Sequence, residues 1–300
     1  MTLFYIANER INIMIWISLV LFYGLAKGVR EIFKKKALEK NSVIEVLFIY
    51  TLLSFLMVVP TAPNAGGLEP SLLGIVAIKS FVIFIAWIAS FHAIEKLPIS
   101  LVGVLDLSRV LFSTLLGIVI LHEGMTTYKI VGLIFVLAGL LMLKFKLGTK
   151  KNTPTKTEGV ALIYVLLTLL SCILNAVSGT MDKVLMKHMN STQLQFWYML
   201  FLVLFYLIYI LIKRIKFNWK TLVKNHWILW LSILFVLADK ALFIANGIEE
   251  SEVTVMTLIK QSGCIMTILG GKFVFKEKNI GYKLLCALVV IAGIVIGVIS

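Results

Sequence analysis

The chain has 300 residues, 60% of them hydrophobic, and a mean hydropathy of +1.00. A soluble domain is roughly 45–50% apolar, and because it has too little polar surface to cover such an excess, the composition excludes an ordinary soluble protein. The net charge of +14 does not indicate a nucleic-acid-binding protein, because most basic residues lie in short loops between apolar segments, where they determine membrane topology.

Ten mostly apolar segments follow one another along the chain, each about as long as the roughly 20 residues of helix that cross a bilayer. All five prolines lie at the ends of these segments or between them, as expected if the segments are helices. Strands of a membrane barrel would be about ten residues long and alternate in polarity. The sequence therefore predicts an all-α integral membrane protein with ten transmembrane helices, at 11–29, 42–61, 71–94, 98–121, 126–146, 159–181, 192–212, 226–248, 252–275 and 279–299.

A long polar connection near the middle of the chain divides the spans into two groups of five. We predict a first five-helix repeat at 1–146, a polar linker at 147–158 and a second five-helix repeat at 159–300. Shifting 90–145 by 154 positions onto 244–299 aligns identical polar residues and glycines, among them Glu123/Glu277, Tyr128/Tyr282, Lys129/Lys283 and Gly139/Gly293. A weaker similarity after the first span of each half aligns Glu31 with Asp182.

Five is an odd number, so two copies joined in series must cross the membrane in opposite senses. Such inverted repeats have a pseudo-two-fold axis in the membrane plane and a site near the midplane, which is the architecture of many carriers. The basic residues bear on orientation, since cytoplasmic loops are enriched in Lys and Arg. Loop 27–41 and the other connections on its side of the membrane carry 21 basic residues, and the opposite side carries four. This distribution predicts that both termini lie outside.

Ionisable residues inside a span are costly, and they normally face a cavity or one another. The candidate binding residues are Lys79, Asp106, Arg109, Asp239, Lys240 and Lys260, with the adjacent Gln261. Asp106 and Arg109 are one helical turn apart, and Lys260 occupies the repeat position of Asp106. The alternative is that these residues have a structural role. Asp106 and Arg109 would then pair within one helix, and Asp239 and Lys260 would pair between helices. Because the four basic residues outnumber the two carboxylates, two positive charges remain unpaired, which favours an anionic substrate.

The segment "LPIS…LLGIVILHEGMTTYKIVGLIFVLAGLLML" and its equivalent in the second half resemble the drug/metabolite transporter superfamily, EamA-type. The resemblance covers nearly the whole chain and implies a ten-helix carrier. Members often have a proline midway along helices four and nine, where this chain has Ser108-Arg109 and Ser262-Gly263. Members usually have cytoplasmic termini, in conflict with the charge count. The similar sugar-phosphate translocators carry Lys-Arg in the ninth helix, where this chain has Lys260-Gln261.

These observations together predict a secondary-active transporter of a small polar, anionic metabolite that works by alternating access, driven by exchange or by protons. The alternatives are a flippase for a lipid-linked head group and, less favoured, an integral membrane enzyme. We expect a multi-pass protein of the plasma membrane, monomeric or homodimeric, with a small-molecule substrate and the lipid bilayer as partners. No motif indicates a catalytic residue, a cofactor, a metal or nucleic acid as a partner.

Overall fold

The computed structural model describes residues 2–122, 124–148, 156–277 and 280–298, and within these ranges the chain is helical with short connections and no strand. The first half contains α1 (Thr2–Leu38), α2 (Val43–Val58), α3 (Pro70–Lys96), α4 (Ile99–Asp106), α5 (Arg109–Leu121) and α6 (Thr127–Gly148). The second half contains α7 (Lys156–Leu185), α8 (Ser191–Lys213), α9 (Trp219–Val223), α10 (His226–Gly247), α11 (Val253–Lys260), α12 (Gly263–Phe273) and α13 (Ile280–Val298). Most of the predicted linker lies outside the described residues.

The helices confirm the predicted all-α membrane architecture. Eight segments of the described chain are long and apolar enough to cross a bilayer, with α4–α5 and α11–α12 each counting as one. Two shorter apolar stretches, Thr127–Gly139 and Ile280–Gly293, lie within α6 and α13 and complete the ten spans. Each half contributes five, so the two halves cross the membrane in opposite senses.

Local sequence signals explain where several helices begin. α2 starts with a capping box in which the Ser42 side chain accepts from the Glu45 amide while the Glu45 carboxylate accepts from the Ser42 amide. α8 starts in the same way with Asn190 and Gln193. These reciprocal hydrogen bonds satisfy amides that have no partner inside the helix, and they fix the ends of two spans.

The fourth and ninth spans were expected to be continuous helices, but each is broken at its midpoint. In the first half, the Leu107 amide donates to Val104 O at 3.2 Å, three residues back. The Gln261 amide donates to Leu258 O at 3.1 Å in the same way. The two turns lie 154 positions apart, and neither contains proline. Tight turns at Leu107-Ser108 and Gln261-Ser262 therefore replace the proline that the resembled family often has.

The first helix is longer than predicted, and this changes which basic residues lie in loops. α1 runs to Leu38, so most of the expected loop 27–41 is helical. Three of its basic residues, Lys27, Arg30 and Lys34, are buried rather than exposed in a loop. Two of the four bases counted on the other side, Lys129 and Lys183, are buried as well, so the direction of the 21-to-4 bias does not change.

Small residues allow the closest helix contacts. A Cβ on Gly139 of α6 would lie 2.5 Å from Val290 Cγ2 of α13, and one on Gly293 would lie 2.5 Å from Gly132 O. Such contacts fall below van der Waals distance, so only glycine fits at these positions. The last helix of each half thus packs against its counterpart, as small residues permit in membrane helices.

Candidate functional site

A cavity lies between the two halves at the level of the two helix breaks. It encloses about 820 Å³ of space between its lining atoms, part of it continuous with solvent. Helices from both repeats line it, including α1, α3 and α5 from the first and α7, α10 and α11 from the second. A volume of this order is within the roughly 300–1,000 Å³ that small-molecule sites in proteins have.

The cavity brings together four of the predicted residues. Lys79, Arg109, Asp239 and Lys260 all line it, although they come from four different helices. Asp106 lines a smaller neighbouring cavity of about 500 Å³, which shares Lys27, Glu31, Ser90 and Arg109 with the first.

The other two predicted residues do not line the cavity. Lys240 points away from it, and its Nζ donates to Thr192 Oγ1 at 2.7 Å. Gln261 is buried at the helix break but is not part of the lining.

Asp106 is neutralised by two cations. Arg109 Nη2 lies 2.7 Å from Asp106 Oδ1, across the break between α4 and α5. Lys27 of α1 pairs with the other carboxylate oxygen. The intrahelical pair proposed as a structural alternative is therefore present, and it is extended by a residue that the sequence interpretation placed in a loop.

Asp239 pairs with Arg30 and not with Lys260. Arg30 Nη1 lies 3.1 Å from Asp239 Oδ1, and the guanidinium carbon lies 4.9 Å from the centre of the Phe235 ring. The interhelical pair between Asp239 and Lys260, which was part of the structural alternative, is absent at 4 Å among the described residues. Asp239 has another partner because α1 continues as a helix and inserts Arg30 at this point.

Two further lysines have partners within the cavity wall. Lys79 Nζ lies 3.1 Å from Asp182 Oδ1 and 3.4 Å from the centre of the Tyr198 ring. Lys34 Nζ lies 2.7 Å from Glu31 Oε1 on the same helix. Because a carboxylate stabilises each ammonium, neither lysine needs a ligand to compensate its charge.

Lys260 differs from every other cation of this cluster. It is 8% exposed, and among the described residues no carboxylate lies within 4 Å of its ammonium. Its nearest described aromatic partner is the Tyr23 ring, whose centre is 5.7 Å from Nζ. Across both cavities, six basic side chains face four acidic ones, which leaves an excess of two positive charges. One belongs to the Asp106 cluster, and the other is Lys260.

The match to a family model covers both halves of this architecture. Residues 5–145 and 162–299 each match the EamA-like transporter family. The chain belongs to this family. It is therefore a multi-pass membrane transporter of the drug/metabolite transporter superfamily, and the resemblance stated from the closing segments of the two halves is confirmed.

A solved crystal structure supports the fold of this EamA-like transporter. It superposes with a TM-score of 0.64 at 13% sequence identity, over 95% of this chain and 97% of the other. At such identity the likeness shows the fold alone. No curated protein is significantly similar to the chain.

Sequence interpretation missed five charged residues of the transporter's cavity, because residues from 27 onward were assigned to a loop and the sixth span was ended at residue 181. Their spacing of three and four residues along α1 places Lys27, Arg30, Glu31 and Lys34 on one helix face, and this pattern was available in the sequence. The repeat also aligned Glu31 with Asp182, and both carboxylates line the cavity. Extending the first predicted helix along this face would have identified four of the five missed residues.

α1 contacts the second helix break at unusually close range. A Cβ on Gly28 would lie 2.3 Å from Gly263 O, and one on Gly24 would lie 2.4 Å from Ser262 Oγ. The repeat equivalent of Gly28 is Gly179 on α7, where an added Cβ would meet nothing within 4 Å. Gly179 lines the cavity. The contact between α1 and α12 is thus closed, whereas the equivalent position on α7 faces open space.

Proposed function

We propose that this EamA-like transporter carries a small anionic metabolite by alternating access, and that Lys260 contacts the anion. The observation that carries the proposal is the buried ammonium of Lys260, which lines the cavity and lacks a carboxylate within 4 Å in the described part of the chain. A charge inside a membrane costs on the order of 2.5–3.5 kcal/mol even on permissive scales. A carboxylate or phosphate on the substrate would offset that cost.

The position of the cavity supports a carrier mechanism. It lies where two discontinuous spans, related by the repeat, meet at mid-helix, which is the place where inverted-repeat carriers bind their substrates. Its volume is that of a small-molecule site. The other predicted residues all have a partner of opposite charge, and they would hold the charged wall in place around the substrate: Asp106, Arg109, Asp239 and Lys79.

A paired substitution tests the role of Lys260. Purified transporter is screened for thermal stabilisation by millimolar carboxylates and phosphates, and uptake of the stabilising compounds into proteoliposomes is then measured. We expect Lys260→Gln to reduce both effects at least tenfold, because a charged hydrogen bond contributes about 1.5–3 kcal/mol. The control is Lys240→Gln, which removes a lysine that lies outside the cavity. Equal uptake by the Lys260 variant and the unmodified protein would contradict the proposal.

The same proteoliposomes distinguish the alternatives. A flippase would move a labelled lipid-linked head group between leaflets while soluble anions neither stabilise the protein nor accumulate. An enzyme would convert the compound without moving it between compartments. Accumulation of an unmodified soluble anion in sealed vesicles is the result that a carrier predicts.

A further inference from the structure

The connection between α8 and α10 carries a dense group of basic residues on one membrane face. Between 213 and 225 there are five bases and no acidic residue. All five are exposed, and in the described part of the chain none has an acidic partner within 4 Å: Lys213, Arg214, Lys216, Lys220 and Lys224. We call these five residues the basic surface.

The inner side of this connection is fixed to the helix bundle. The Asn218 amide donates to Glu45 Oε1 at 2.7 Å, and Asn225 Nδ2 donates to Ala37 O at 2.9 Å. Leu222 is buried. Because one backbone amide and two side chains attach this connection to the bundle, the basic side chains extend from a fixed platform, and binding a ligand there would order little additional chain.

The outer side also exposes apolar groups among the charges. Trp219 is 57% exposed and Val223 is 84% exposed. They are four residues apart on α9, so they lie on the same side of it. Exposed tryptophan and valine beside lysines, at the end of a transmembrane helix, are typical of chain that lies in the boundary between lipid head groups and acyl chains.

The repeat supplies an internal comparison between equivalent connections, which inverted repeats place on opposite membrane faces. The equivalent connection of the first half, between α2 and α3, is residues 59–69, and it contains one acidic residue and no base. It makes the same turn between the second and third spans with Pro60 and Pro63 in a short 3₁₀ helix, Val59–Asn64. The fold therefore does not need five bases at this turn.

We propose that the basic surface binds the phosphate head groups of anionic phospholipids in the adjacent leaflet, with Trp219 and Val223 inserted between the lipids. Membrane-proximal lysines and arginines are attracted to anionic leaflets additively, and the attraction decays within a Debye length. The surface is separate from the substrate cavity, so this inference does not depend on the proposed function.

Fluorescence of Trp219 provides the test. The full-length transporter is placed in nanodiscs of phosphatidylcholine with one fifth of the lipid brominated, either as phosphatidylcholine or as phosphatidylglycerol. The Trp219 signal is obtained by difference from Trp219→Phe. We expect brominated phosphatidylglycerol to quench Trp219 at least twofold more than brominated phosphatidylcholine, because anionic lipid is enriched around the residue.

Two charge-matched variants decide what causes the preference. The triple variant Lys216→Gln, Lys220→Gln, Lys224→Gln should lose it. The control Lys96→Gln, Lys272→Gln, Lys276→Gln removes three exposed bases from other connections on the same membrane face and should keep it. Equal quenching by the two lipids in the unmodified protein would overturn the proposal, as would an unchanged preference in the first variant. Loss of the preference in millimolar inorganic phosphate at constant ionic strength would overturn it too, because the ligand would then be free phosphate.

Discussion

The two helix breaks have the same backbone but different chemistry. At the α4–α5 break, Asp106 joins Lys27 and Arg109 in one ion cluster. At the α11–α12 break, the equivalent position is Lys260, which has no carboxylate within 4 Å among the described residues. Duplication thus preserved the turn and changed the charge that it carries. The difference teaches that the shared architecture builds the cavity, whereas the charge balance inside it depends on single side chains such as Lys260.

The same two regions differ in packing. Gly24 and Gly28 bring α1 into backbone contact with α12, and a side chain on either would collide with Gly263 or Ser262. On the other side, Gly179 of α7 borders open space. The halves are therefore equivalent in fold but differ in closure. Alternating access would require the closed contact at Gly28 to open and the open position at Gly179 to close. Substitutions of these glycines and of the charged residues therefore test the comparison.

The largest expected effect is at the neutralised break. Asp106→Asn leaves Lys27 and Arg109 together without a carboxylate between them. Losing one member of a fully buried ion pair costs about 3–5 kcal/mol, and because this cluster is partly buried we expect a loss near the lower end. We expect a clearly lower midpoint of thermal denaturation in detergent. Glu69→Gln, which removes an exposed acid in a connection, should change stability by less than about 0.5 kcal/mol. Similar midpoints for the two variants would mean that the cluster contributes nothing to stability.

The next effect compares equivalent glycines. Gly28→Ala forces a methyl group against Gly263 O of the backbone, and overpacking of this kind costs about 1–3 kcal/mol. Gly179→Ala adds the same methyl group in open space and should be neutral, or stabilising by about 0.5–1 kcal/mol, because alanine favours the helix. Thermal denaturation of both variants measures the difference. If the two substitutions cost the same, the difference in closure between the halves would not be supported.

The smallest effect on stability is expected at Lys260. Lys260→Gln removes a buried charge that has no carboxylate partner, so stability should stay within about 1 kcal/mol of the unmodified protein or rise. The same variant is expected to lose anion binding, and this separation of stability from function is what distinguishes a binding residue from a structural one. A loss of stability as large as that of Asp106→Asn would instead indicate that Lys260 holds the fold together.

Much of the architecture could be predicted from local patterns. Apolar segments of about 20 residues give the spans because the bilayer thickness sets their length, and the 154-residue shift gives the repeat. The candidate site was predicted in part: Lys79, Arg109, Asp239 and Lys260 line one cavity. The helical spacing of the charges from Lys27 to Lys34 was present in the sequence, but a run of lysines after an apolar segment was interpreted as a loop. Arg30 was therefore not considered as a partner of Asp239.

Hydrophobicity, repeat spacing and charge inside apolar segments determined by themselves that this chain is a ten-helix membrane protein of two repeats with ionisable residues within its spans. They could do so because the bilayer imposes one length on every span, and because a duplicated sequence keeps its register. Only the tertiary structure decided which charges neutralise each other and which one remains. Ion pairing depends on distances of a few ångströms between helices that are far apart in the chain, and no local pattern encodes those distances.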